Sequence, residues 1–356
     1  MKIKFLPLLL ILALLLTGCY VEIVLPGTEP ATQPTTLSPA SETLLVHYLD
    51  VGQADCILVE YGDYHLLIDG GNREDGQMVV SYLEQQGVTE LDAVVCTHAH
   101  EDHVGGLPSV LAVYPTAAVY APTKTYSSNV FDKFIYYTDQ QRLEITIPNP
   151  GDLLPAPEGL ELTVLGPTKT YAETNDTSIV ILASFGETSF LFTGDMEVQA
   201  ENDMMDYWGD RVNWNVDVLK VGHHGSDTSS GYRFVYMTDP EYAIISVGEG
   251  NSYNHPNEPI LARYQDAGIP VFRTDRLGTI LATSDGKEIT ITWENQNAVP
   301  EDVAPGGTMV YIGNKNSKVF HAPDCKNLPG EKNRVEFPTY SEATDAGYTP
   351  CGACLG

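Results

Sequence analysis

Apolar and polar positions divide this chain into stretches of different texture. After Lys2 and Lys4 the residues from Leu8 to Leu16 are apolar without a break, the layout of a secretory signal and not of a folded element. Residues 26–43, PGTEPATQPTTLSPASET, are rich in Pro and Thr and almost free of large apolar side chains, so they predict a tether that cannot order itself by burial. The pattern then tightens. Residues 44–71 hold three short apolar or alternating runs separated by GQAD and YGDY, which predicts strand, turn and strand. Helical periodicity from Gln77 to Gln86 stops at Gly87, and LDAVVCTH reads as a buried strand. The same unit recurs: strands at Leu160–Leu165, Ser178–Ser184 and Ser189–Thr193, a helix at Val198–Trp208, and a strand at Val216–Val221. Tyr242–Val247 and Thr279–Thr283 predict strands with a helix at Glu258–Ala267 between them. Two sheet-forming halves with interspersed helices imply an α/β sandwich. ENQNAVPEDVAPGGT, residues 294–308, is a second linker, and the remainder is short with little apolar mass. The expected boundaries are therefore 1–18, 19–43, 44–293, 294–308 and 309–356.

Chemistry concentrates where predicted strands end. CTHAHEDH, residues 96–103, puts His98, His100, Glu101, Asp102 and His103 on a tight turn. A lone buried histidine needs one hydrogen bond, but three beside an aspartate would each need a partner, and metal binding is the economical explanation. His98 and His100 can face one ion, and Asp102 and His103 a second. Phe192-Thr193-Gly194-Asp195 ends another strand with a carboxylate able to bridge both. Leu219-Lys220-Val221-Gly222-His223-His224-Gly225-Ser226 delivers imidazole from a third. This donor set suits a dinuclear hydrolytic site.

HAHEDH, TGD and HHGS, with DVGQAD and IDGG upstream, resemble the metallo-β-lactamase fold, an αββα sandwich. Within it they resemble the extracytoplasmic hydrolase domain of ComEC-type DNA-uptake proteins, over roughly Leu44 to Trp293. The resemblance implies that His98 and His100 hold one ion, Asp102 and His103 the other, and that Asp195 bridges. One of His223 and His224 completes the second ion, with His223 favoured because it comes first after the strand. Many members of the fold place a further histidine where this chain has Thr174-Asn175-Asp176-Thr177-Ser178. Asn175 or Asp176 fills or neighbours the first site, or else the turn caps the strand that follows. Ala54 stands where the resembled motif often has Gly, which alters the turn and leaves Asp55 able to hold the histidine loop. Asp50 and Asp69 read as supporting or turn residues. Asn251-Ser252-Tyr253-Asn254-His255-Pro256 matches a further ComEC-type stretch, in which His255 either donates to a phosphate or leaving group or fixes the turn before Pro256. Ser226, as a phosphate donor or a cap, and Lys220 are weaker candidates.

Both ends carry a second resemblance. Leu16-Thr17-Gly18-Cys19 resembles the lipobox of bacterial lipoproteins, which implies cleavage before Cys19, lipid on that cysteine and a chain anchored outside the cytoplasmic membrane. In the tail, Gly313 to His321 with Cys325 and Pro350-Cys351-Gly352-Ala353-Cys354 resembles the small metal-binding module of the Ada type. His321, Cys325, Cys351 and Cys354 form a plausible closed tetrahedral zinc set, and a disulfide between two of the three cysteines is the alternative. Cys56 and Cys96 sit within strand patterns and read as core.

The formal charge of -29 argues against a broad electrostatic footprint on nucleic acid. A phosphate substrate would therefore rely on local cations, here two divalent ions, zinc or manganese. Repeated long apolar runs of the kind a membrane-spanning transport channel requires are missing, so the chain is not expected to be a DNA pore itself. The leading expectation is a lipid-anchored, extracytoplasmic, metal-dependent phosphodiesterase or nuclease. Hydrolysis of a lactam, thioester or lactone on the same centre is the rival within enzymes. A lipid-anchored module that grips DNA or a partner is the rival outside them.

Overall fold

The computed structural model describes residues 43–301, 311–322, 325–338 and 340–355. The expected signal peptide, Cys19 and all of the tether but Thr43 lie outside the described residues, as does the linker beyond Glu301.

Period-two alternation builds two sheets that face each other. The first has eight strands, in the order Ile289–Trp293, Ile280–Ser284, Leu44–Tyr48, Ile57–Tyr61, Tyr64–Ile68, Ala93–Val95, Val119–Tyr120 and Ile145–Thr146. The second has seven, in the order Val271–Arg273, Tyr242–Ile245, Val218–Lys220, Thr188–Phe192, Val180–Phe185, Leu160–Gly166 and Leu153–Leu154. Leu44, Val46, Tyr48, Leu66 and Ile68 of the first sheet meet Phe190, Phe192, Ile181 and Val164 of the second in one buried core. Each large side chain buried there contributes roughly 1.5–3 kcal/mol.

Alternate residues of the same strands point the other way. Leu58, Leu67 and Val94 pack under Val79, Leu83, Phe131 and Phe134 of the helices Gly76–Gln85 and Asn129–Gln140. Leu191, Leu219 and Ala243 pack under Met204, Val235, Ile260 and Tyr264 of the helices Val198–Trp208, Tyr232–Thr238 and Glu258–Ala267. Strands apolar on both faces thus produce four layers, helix, sheet, sheet, helix, as the sequence predicts.

Strand direction places the chemistry. Tyr64–Ile68, Ala93–Val95 and Val119–Tyr120 run parallel in the first sheet, and Thr188–Phe192, Val218–Lys220, Tyr242–Ile245 and Val271–Arg273 run parallel in the second. Asp69, the histidine turn, Asp195 and the His223-His224 turn all follow the carboxyl ends of such strands. Open α/β sheets bind ligands at that edge.

The tail forms a four-stranded sheet, ordered Arg334–Phe337, Tyr311–Asn314, Val319–His321 and Thr349–Pro350. Its core of Tyr311, Phe320, Phe337, Ala343, Tyr348 and Leu355 continues into Tyr232 of the large domain. Tyr340 stacks on Tyr236 with ring centroids 4.2 Å apart. The hydroxyls of Tyr311 and Tyr236 both donate to Asp266 Oδ2, at 2.7 and 2.9 Å. The stretch predicted as a linker is, in its described part, laid along the large domain: Glu301 pairs with Arg273 and Arg276, each at 2.7 Å. Among the described residues no helix is long and apolar enough to cross a membrane.

Candidate metal centre

The histidine turn is set by a buried aspartate. Thr97 donates its backbone N–H and its hydroxyl to Asp69, each at 2.7 Å, and Asp69 Oδ2 takes the Nδ1 proton of His103 at 2.7 Å. That bond fixes the ring so that Nε2 of His103 faces Asp195 Oδ1 at 3.2 Å. His98 and His100 stand ring to ring, Nε2 to Nδ1 at 3.1 Å, and His98 Nε2 is 3.8 Å from Asp195 Oδ2.

The Gly222–Gly225 turn decides which histidine joins them. His223 and His224 both adopt left-handed backbone, φ 47° and 54°, a strained conformation that turns the second ring inward. His224 is buried, with Nδ1 2.9 Å from the Ser246 carbonyl. Its Nε2 lies 3.4 Å from Asp102 Oδ2 and 3.6 Å from Asp195 Oδ2. One donor atom from each of Asp102, His103, Asp195 and His224 falls within 4.8 Å of the others. His223 stays outside this group, partly exposed, with Nδ1 3.0 Å from Thr228 Oγ1 and 3.3 Å from Glu197 Oε1. Of the two histidines the sequence left open, with His223 favoured, it is thus His224 that stands with Asp102, His103 and Asp195, while His223 Nε2 lies 3.9 Å from Asp195 Oδ2.

Charge and orphaned atoms test whether these residues suit a cation. His103 Nε2, His224 Nε2 and Asp195 Oδ1 are buried without a hydrogen-bond partner, an arrangement costing about 1–3 kcal/mol per atom unless a ligand meets them. Burial opposes a charge on His103, yet Asp195 and Asp69 hold its pKa well above the usual histidine range. Burial likewise works against His224, and Asp195 and Asp55 push it up to about 10. Burial first, then His103, depresses His98 far below its usual range, leaving a neutral lone pair. Two imidazole nitrogens and two carboxylates in a negative field fit a divalent ion.

Behind them lies a buried ion pair. Lys220 Nζ is 2.8 Å from Asp55 Oδ2 and donates to the Val221 carbonyl at 2.8 Å, while Asp55 Oδ1 is 3.4 Å from His224 Nδ1. Lys220 is thus spent on Asp55 and unavailable to a substrate. Ser226 caps its own turn through Thr228 N and Oγ1, at 3.3 and 3.0 Å, and does not line the cavity. Asp176 accepts the Glu197 N–H at 3.1 Å, a turn role, whereas Asn175 stands on the cavity wall with a buried Oδ1 that has no hydrogen-bond partner.

The cluster opens into a cavity of about 790 Å³, and His255 lies on its wall. Gln53 donates to His255 Nδ1 at 3.4 Å and accepts the Gly248 N–H at 3.1 Å, so the proton of the neutral ring sits on Nε2. Burial, then the charges of His223 and His224, depress His255 to about 4. Sequence reasoning missed Gln53, Glu197, Thr228 and Tyr253. Gln53 and Tyr253 lay within quoted motifs and Glu197 two residues after Asp195, whereas Thr228 carried no signal.

In the tail, donor atoms of His321, Cys325, Cys351 and Cys354 lie within 4.8 Å of one another. The described cysteines are free, so the predicted alternative of a disulfide is not formed among them. Burial raises the Cys351 thiol, but the Ala353 N–H and the Cys354 and Cys325 thiols together bring its pKa below the usual value, towards the thiolate a metal requires.

The family profile described as the metallo-beta-lactamase superfamily matches residues 49–249, and that described as the metal binding domain of Ada matches residues 300–355. The chain is 32% identical over 256 residues to ComE operon protein 3 of Bacillus subtilis (strain 168), covering 66% of this chain and 32% of that protein. It is 31% identical over 233 residues to competence protein ComA of Neisseria gonorrhoeae, covering 65% of this chain and 31% of that protein. The chain thus spans about a third of the length of these relatives. Among solved structures, the metallo-beta-lactamase fold protein YhfI from Bacillus subtilis aligns with a TM-score of 0.48 at 14% identity, over 68% of this chain and 100% of that one.

Proposed function

The chain belongs to the metallo-beta-lactamase superfamily, and from that premise we propose that it is a metal-dependent phosphodiesterase acting on nucleic acid or nucleotides outside the cytoplasmic membrane. The observation that carries the reading is the strand-end cluster, with unpartnered imidazole and carboxylate atoms aimed at one another. Asp102, His103 and His224 would hold one divalent ion, His98 and His100 a second with Asn175 Oδ1 at hand, and Asp195 would be shared. When bound, such ions supply Lewis acidity and an activated water for in-line attack on phosphorus.

The chain's own residues do the rest. Asp69 and the Ser246 carbonyl fix the two imidazole rings by taking their Nδ1 protons. His255, neutral and protonated on Nε2, offers a hydrogen bond to a phosphoryl or leaving oxygen in the cavity. His321, Cys325, Cys351 and Cys354 would hold a structural zinc. The lipobox-like Leu16–Cys19 supports anchoring by lipid on Cys19, outside the cell.

The test is a substrate screen with divalent ion added at moderate ionic strength, where salt screens the repulsion between the acidic surface and DNA. Bis(4-nitrophenyl) phosphate and single-stranded DNA should be cleaved and nitrocefin left intact. Rapid lactam turnover with phosphodiesters untouched would reverse the assignment.

A further inference from the structure

Among the described residues, the walls of the proposed catalytic cavity carry Asp50, Glu74, Asp75 and Glu101 and no lysine or arginine. The usual side chains for gripping an anion are therefore missing, and affinity for the organic part of a substrate must come from elsewhere. What the wall offers instead is an aromatic face. Tyr253 is 65% exposed and its ring stacks on His255, with centroids 5.6 Å apart and planes 26° apart.

This exposed ring sits on a fixed loop. Asn251 Oδ1 accepts the N–H groups of Tyr253 and His255 at 3.1 and 3.0 Å, and Asn251 Nδ2 donates to the carbonyls of Gly248 and His255 at 3.0 and 2.6 Å. A loop ordered by its own hydrogen bonds has already lost the freedom that binding would otherwise cost. From Tyr253 a ladder of rings leads inward, His255 to His223 at 5.6 Å between centroids and His223 to His224 at 6.2 Å. The aromatic face and the metal cluster thus share one cavity wall, linked ring by ring.

We propose that Tyr253, backed by His255, is the stacking platform for the base of an unpaired nucleotide whose phosphodiester lies at the Asp102, His103, Asp195 and His224 cluster; this rests on the phosphodiesterase reading above. Stacking asks for a flat π face and no cation, which suits an acidic wall. The four carboxylates repel the further phosphates of a long strand, so a free nucleotide or a chain end is the form admitted. In a duplex both faces of a base are covered by its neighbours, so paired bases are refused.

The test compares two diesters that share a leaving group, thymidine 5′-(4-nitrophenyl) phosphate and methyl 4-nitrophenyl phosphate, with the full-length, metal-loaded protein. Base stacking predicts that kcat/KM favours the thymidine ester by roughly 5- to 150-fold, mostly through KM. That ratio should fall towards one in Tyr253→Ala and persist in Tyr253→Phe. A ratio of one in the unaltered protein, or one undiminished in Tyr253→Ala, overturns the platform and leaves the phosphodiesterase standing. If neither ester is cleaved the phosphodiesterase reading falls, and calorimetric titration with thymidine 5′-monophosphate decides the platform alone. Affinity lost in Tyr253→Ala and kept in Tyr253→Phe supports it, and equal affinity in Tyr253→Ala overturns it.

Discussion

Two four-donor clusters lie among the described residues, and the protein holds them by different means. Asp102, His103, Asp195 and His224 stand at strand ends of two large sheets, with Asp69, the Ser246 carbonyl and the Asp55–Lys220 pair fixing the ligands from behind. His321, Cys325, Cys351 and Cys354 stand in a small module whose core is a handful of aromatics and whose backing from the large domain is Tyr232, Tyr236 and Asp266. On the reading proposed above, the first scaffold folds without its ion and would use it for chemistry. The second has little apolar mass of its own and would depend on its ion for stability.

The sharpest way to break that contrast is chelation. A structural zinc contributes on the order of 10 kcal/mol, so a strong chelator should abolish amide protection across residues 311–355 and leave the two large sheets protected in hydrogen exchange. Cys351→Ser should do the same to the tail while hydrolysis of a small diester persists, because no tail residue lines the cavity. A tail that stays protected after chelation would erase the distinction.

Glu201, a buried carboxyl of the large domain away from the cluster, gives the next effect. It is buried on the helix Val198–Trp208, and burial pushes it up to about 7 against the pull of the Gly231 and Ser230 N–H groups and Arg263. The unfolded chain releases this proton near 4.5, so between pH 4.5 and 7 the folded protein holds more protons and stability falls as pH rises. The loss amounts to roughly 3 kcal/mol above pH 7. Denaturant titrations of Glu201→Gln should lack that slope, and an unchanged pH profile would show the carboxylate to be fully compensated.

Asp69→Ala addresses the support behind His103. Removing such a partner weakens ion affinity by about 10- to 100-fold, so a competition titration should show that loss while the tail ion is held as before. Asp266→Ala gives the smallest effect. It removes the acceptor shared by Tyr236 and Tyr311, about 1–2 kcal/mol, and should raise proteolysis between the domains without releasing the tail's metal.

Legibility in the sequence followed the range of the forces involved. The helix Glu258–Ala267 is found at its predicted bounds because Pro259 opens it and Gly268, at φ 78°, closes it locally. The strand-end ligands were readable because each follows an apolar run. The helix Asn129–Gln140 was not assigned, although Ser128 caps it by accepting the Val130 N–H, because aromatic and polar residues blur its apolar stripe. Which of His223 and His224 turns inward was left open, because that depends on backbone at positive φ, which the residue types do not announce. Lys220 and Asp55 meet across 165 positions, and Asp266 meets Tyr311 across 45, and neither pairing leaves a local trace.

The account rests on metal-dependent hydrolysis at the strand ends, and the most direct measurement is metal add-back to chelated protein. Bis(4-nitrophenyl) phosphate hydrolysis and bound ion are followed together, in the unaltered chain and in Asp195→Asn. Activity should rise with the filling of two sites beyond the tail's one, and Asp195→Asn should lose both of those ions and about 10³-fold in kcat while keeping the tail's. Full hydrolysis by protein carrying no metal, or by Asp195→Asn, would contradict the account.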